Sequence, residues 1–170
     1  MSGRYTAAER AAMIERYRDG ERAVREVVDG ASPEELDARP AAPDEWTARM
    51  VVHHLADSEM ISAFRLRKLI AEDSPVIEGY DEPRYARRLF YDDRAIEPSL
   101  AALGAARATT AQILDRLTDA QWERSGVHTE SGRYGVEDWL RIYSAHAHEH
   151  ADQIRRALST ARAAGGPASC

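Results

Sequence analysis

The chain has 170 residues, a hydrophobic fraction of 44%, a charged fraction of 31% and a formal charge of −6, values of an ordinary globular domain that exclude a disordered or fibrous class. The negative charge, with Arg interleaved among Asp and Glu, argues against nucleic acid as a partner, which needs clustered Lys and Arg. A single cysteine, Cys170, excludes an internal disulfide and a Cys-based zinc site.

The opening MSGRYTAAERAAMIERY has no signal-peptide apolar core, and no run approaches the ~18 apolar residues that span a bilayer. A soluble cytoplasmic protein with no membrane partner is expected. One domain is expected over residues 1–163, with 164–170 as a flexible tail, since a chain of this length buries roughly two thirds of its unfolded surface around a single core.

Thr6 and Glu9 form a capping box ahead of Ile14, Tyr17, Val24, Val27 and Val28 at helical spacing, which predicts a first long helix ending at Gly30, with Gly20 its weak point. In SPEELDARP, Ser32 is the N-cap and Pro33 the first helical residue of a short helix stopped at Pro40. A second long helix runs from about Thr47 to Asp73 and is closed by Pro75. Residues 74–98 carry three of the seven prolines, which predicts a long crossover holding one short helix. Leu100, Leu103, Ala106, Thr110, Ile113, Leu114 and Leu117 mark a third long helix. TDAQWE reads as a short capped helix and SGVHTESGRYG as a loop or small hairpin. The fourth long helix spans 136–163, with Trp139, Leu140, Tyr143, Ala147, Ile154 and Leu158 on its inner side. With no convincing strand run, the fold class is all-α: an antiparallel-type four-helix bundle with a long crossover and short additional helices.

Bundles carry functional groups between facing helices, so helix angle sorts the six histidines. His146 and His150 differ by ~40° and lie one turn apart with Cβ atoms ~5–6 Å from each other. That is close enough to share one metal ion at ~2.0–2.1 Å, and Tyr143, Ala147 and Ile154 put this face inside. The alternative is a pair of core histidines hydrogen-bonded to backbone or hydroxyl groups. His148, ~200° from His146, points outward. HEHAD is no HExxH protease motif, because Asp152 stands where the second histidine is required. On the second long helix Val51, His54, Leu55, Ser58, Ile61 and Arg65 share a face, so His54 is the candidate third ligand. His53 lies ~100° away at the edge of that face. Three imidazoles on one divalent ion leave open positions, the mark of a catalytic rather than a structural site.

DEWTARMVVHHLADSEM taken with RIYSAHAHEH resembles the DinB-like superfamily of four-helix-bundle metalloproteins, and within it the YfiT-like branch associated with bacillithiol S-transferase. The resemblance covers roughly Ala23 to Leu158. It implies a divalent metal, zinc or nickel, held by the second histidine of HHLAD and two histidines four apart on the last helix, here His54, His146 and His150. It also implies a homodimer and partners that are a low-molecular-weight thiol and a small electrophilic substrate. Ala145 and Gln153 depart from the branch, which often carries Trp and His there.

A doubly charged ion with three neutral ligands keeps its charge and favours thiolate over thiol, or hydroxide over water. Thiol S-transfer is therefore the first expectation. Metal-dependent hydrolysis and non-enzymatic, stress-associated metal binding are the alternatives. Asp57 is a candidate acceptor for the free N–H of a ligand histidine, against a surface salt bridge. Glu149 is a candidate base, against a solvated helix charge. Arg65 is a candidate anchor for an anionic substrate, against pairing with an acid on a neighbouring helix. Tyr80, His128 and Tyr143 are candidate substrate contacts, whereas Trp46 and Trp139 read as core anchors.

Overall fold

The computed structural model describes residues 4–40, 42 and 45–164. The expected tail lies, from residue 165 onward, outside the described residues. In chain order the elements are α1 (Ala7–Val28), α2 (Pro33–Asp37), α3 (Ala48–Ala71), β1 (Val76–Ile77), α4 (Glu82–Arg88), α5 (Glu97–Leu114), α6 (Asp119–Trp122), β2 (Ser125–His128), β3 (Gly132–Gly135) and α7 (Val136–Ala164). The caps read from the sequence are in place. Thr6 with Glu9, Ser32 with Glu35 and Thr118 with Gln121 close capping boxes, and Thr47 accepts from the Met50 amide. Each cap satisfies N–H groups that a helix start leaves without partners.

The four long helices pack as α1 on α5 and α7, and α3 on α5 and α7. Arg10 meets Glu137 and a Cβ on Gly20 would meet Ala147, so α1 and α7 run parallel. His53 meets Ser99 and Arg67 meets Thr110, so α3 and α5 are parallel too. The antiparallel pairs are α1 with α5, where Arg18 meets Asp115 and Glu21 meets Gly104, and α3 with α7, where His54 meets His150 and Ser62 meets Trp139. The expected antiparallel arrangement thus holds for two of the four packed pairs. The crossover through α4 is what permits α5 to lie parallel beside α3, because short loops join only antiparallel neighbours.

The described residues form three strands: SGVHTESGRYG adopts the small hairpin, the second of its two expected forms, and β1 was not expected. β2 and β3 form an antiparallel hairpin in which Gly126 faces Tyr134, and β1 joins β2 in parallel, Val76 against Val127. Strands of two to four residues are too short to display alternation, and β1 forms only by pairing with a segment distant in sequence. Gly126 is required there, since a Cβ would stand 2.2 Å from the Pro75 carbonyl oxygen.

Two apolar clusters fill the bundle. One gathers Val24, Val51, Leu55, Leu103, Ala151 and Ile154; the other gathers Tyr17, Leu66, Leu69, Ile77, Trp139 and Leu140. Between them lies a buried polar layer. The Glu59 carboxylate accepts from the Tyr17 hydroxyl and, at 2.5 Å, from Arg107 Nη1.

Candidate metal centre

His54 comes from α3 and His146 and His150 from successive turns of α7, and their nearest ring nitrogens all lie within 4.8 Å of one another. The ring centroids are 5.5 Å apart for His54 and His146, 4.8 Å for His54 and His150, and 4.5 Å for the pair on α7. His54 is buried, whereas the other two are half-buried, so the cluster is closed on the α3 side and reaches solvent on the other. Trp46 packs edge-on to His54 at 5.0 Å and Tyr143 edge-on to His146 at 5.5 Å.

Burial, reinforced by His150, pushes His54 down to about 3. Burial together with the neighbouring His150, His54 and Arg107 pushes His146 down to about 2. His150 is also lowered by burial, against the pull of Gln153 and Glu149. All three rings are neutral at pH 7 and carry a free lone pair. The His150 Nδ1–H donates to Gln153 Oε1 at 2.7 Å, which leaves its Nε2 as the lone-pair nitrogen. Gln153 therefore does what a supporting residue does for a ligand histidine, fixing tautomer and ring angle. His146 Nδ1 is buried with no hydrogen-bond partner. A convergent set of neutral imidazoles with an unsatisfied buried nitrogen fits a divalent ion, which supplies the missing partner.

The other candidates are distributed unevenly. His53, expected at an edge, is wholly buried and turned towards α5: its Nε2–H donates to the Arg94 carbonyl at 3.1 Å and its Nδ1 accepts from Ser99 at 2.7 Å. The reason is that α5 covers that side of α3. His148 points away from the cluster, yet it is half-buried against α1, its Nε2–H donating to the Arg16 carbonyl at 2.9 Å. Asp57 accepts from the Tyr91 hydroxyl at 2.6 Å rather than from a ligand histidine. Glu149 is exposed beside His150. Arg65, Tyr80 and Tyr143 come together on the Tyr143 side of the cluster. His128 stands in the hairpin, 5.7 Å from the Tyr134 ring, its Nδ1 accepting the Glu130 amide. A cleft of about 600 Å³ between α1, α2 and the start of α5 contains none of these residues, and its size alone gives it no chemistry.

The family model described as the DinB superfamily matches residues 16–154, a span that includes all three clustered histidines. The chain belongs to the DinB superfamily. Among its DinB relatives, YfiT of Bacillus subtilis is 33% identical over 134 residues, 77% of this chain and 74% of that protein. A protein of Oceanobacillus iheyensis is 38% identical over 109 residues, 64% of this chain and 63% of its own length. Both relatives bear the name "Putative metal-dependent hydrolase". The solved structure of B. subtilis YfiT, whose four-helix bundle topology is described as unusual, superposes with a TM-score of 0.86 at 27% identity, covering 92% of this chain and 89% of that one. The bundle with its two parallel pairs is therefore shared with YfiT. No described helix is long and apolar enough to cross a membrane.

Proposed function

We propose that this DinB protein is a divalent-metal enzyme in which His54, His146 and His150 hold zinc or nickel and a low-molecular-weight thiol attacks a small electrophile. The observation that carries the reading is the convergence of three neutral imidazoles from two helices on a point that reaches solvent. The chain contributes in three ways. Burial holds the rings unprotonated at neutral pH, Gln153 directs His150 Nε2 inward, and Trp46 walls the His54 side. A bound ion supplies the Lewis acidity that favours thiolate over thiol at neutral pH. A cytoplasmic location belongs to the same reading, and a chain with a single cysteine is compatible with a reducing compartment. The names of the relatives favour a second reading, hydrolysis with water as nucleophile at the same site.

Elemental analysis of the purified protein tests the first step. One ion per chain is expected for the wild type and for His148→Ala, and loss of the ion for His54→Ala, His146→Ala and His150→Ala. Stoichiometric metal in all three of these variants would defeat the assignment. The metal-loaded protein is then given 2-mercaptoethanol with 1-chloro-2,4-dinitrobenzene, where sulfur replaces chloride and the thiol proton leaves with it, and separately p-nitrophenyl acetate without thiol. Histidine-dependent thioether formation supports transfer, and histidine-dependent ester cleavage alone supports hydrolysis. Metal binding with neither activity leaves a non-enzymatic metal-binding protein.

A further inference from the structure

On the Tyr143 side of the histidine cluster the side chains offer hydrogen-bond donors with few acceptors. Tyr143 stacks on Trp139 at 5.0 Å and meets His146 at 5.5 Å, and its hydroxyl lies beside the Ser58 hydroxyl and the Arg65 guanidinium. Ser58 stands one turn beyond His54 on the same face of α3. The Arg65 guanidinium is 5.6 Å from the centre of the Tyr80 ring and also faces Tyr134. Burial raises all three phenols, Tyr80 to about 12, so each remains a donor at neutral pH.

Not all of these donors are satisfied. The Tyr80 hydroxyl is buried with none, a condition that costs about 1–3 kcal/mol when nothing fills it. Arg65 gives one N–H to the Glu78 carbonyl and, with five available, keeps others. The neighbouring acids are engaged or remote: Glu59 accepts from Tyr17 and Arg107, and Asp57 accepts from Tyr91. Glu82 faces Arg65 only from the exposed start of α4 and makes no ion pair with it.

We propose that Arg65, Tyr80 and Tyr143 form a seat for a carboxylate carried by the substrate or its thiol partner, next to the histidine cluster. A carboxylate is acceptor-only with two oxygens, which suits a guanidinium fork joined by a phenol O–H. The inference deepens the metal reading, because the seat would fix which molecules present their reacting atom to His54, His146 and His150.

The test measures affinities of zinc-loaded protein by calorimetric titration with 3-mercaptopropionate and 6-mercaptohexanoate, each against its methyl ester, which keeps the thiol and removes the charge. At least one acid is expected to bind about tenfold or more tightly than its ester, the scale of a charge-assisted hydrogen bond. Arg65→Met and Tyr80→Phe are each expected to bring that ratio towards one while zinc content stays at the wild-type value. The phenol variant removes one oxygen and leaves the ring packing, so a folding defect in Arg65→Met does not decide the result. The seat is overturned by equal affinity for acid and ester, by no measurable binding of either acid, or by a ratio that both variants leave unchanged. Metal content of the same samples separates the two readings: wild-type protein that holds neither zinc nor nickel overturns the metal assignment alone, since the ratio of acid to ester is still read.

Discussion

Arg107 Nη2 on α5 donates to the backbone carbonyl of Tyr143 on α7 at 3.1 Å, three residues before His146. The same guanidinium donates through Nε to the Tyr17 carbonyl on α1 at 2.8 Å and through Nη1 to Glu59 on α3 at 2.5 Å, and it lies 4.0 Å from the centre of the Tyr17 ring. One side chain from α5 thus ties together α1, α3 and α7 at the level of the histidine cluster.

Arg107→Met removes the cation and leaves Glu59, whose side chain is 1% exposed, without its charge partner. Breaking a buried pair in this way costs roughly 3–5 kcal/mol. Replacing both Arg107 and Glu59 by Met is expected to cost clearly less than the sum of the single changes, because no charge is then left buried. Urea denaturation of the two single variants and the double variant reads the coupling. Additive costs would show that the pair contributes nothing as a pair.

Metal-free protein is expected to lose stability as pH falls below neutrality. The folded values of His54 and His146 are depressed to about 3 and about 2 from 6.5, and those of His53 and His150 are lowered as well. Below pH 6.5 the unfolded chain takes up protons that the folded chain refuses. Stability fully present above 6.5 therefore declines as pH drops towards the folded values, by up to about 1.4 kcal/mol per pH unit for each histidine. Urea midpoints at pH 7.5, 6.0 and 5.0 check the slope. A flat profile across that range would mean the rings are not held neutral.

Gly20, which reads as a flaw in its helix, is expected to tolerate no side chain. A Cβ there would stand 2.7 Å from both the Ala147 Cβ and Arg107 Nη2, so Gly20→Ala forces α1 away from α7 at a cost of about 1–3 kcal/mol. Gly104→Ala is the contrast. The nearest atoms to its Cβ would be those of the Glu21 side chain at 3.3 Å, which can swing aside, and the gain in helix propensity is about 1 kcal/mol. Thermal melts of the two variants should move in opposite directions, and a Gly20→Ala melt at or above the wild-type temperature would contradict the close packing.

Much of this molecule was legible as one-dimensional pattern. Thr6, Ser32, Thr47 and Thr118 announce helix starts because a hydroxyl or its N3 partner acts within a few residues. His54, His146 and His150 share inward faces because angle about a helix axis follows from spacing alone. The sequence determined which side of each helix turns inward. Only the tertiary structure decided what lies opposite. Arg107 and Glu59 look like solvated charges until α1, α3, α5 and α7 enclose them, and His53 looks peripheral until α5 covers it. Strand β1 exists only because the crossover meets the hairpin, and Gln153 became a partner of His150 through a rotamer that spacing does not specify. Periodicity reports direction around one axis, whereas partnership across a bundle depends on the order and polarity of four axes, and that is set by packing and by the length of the connections between them.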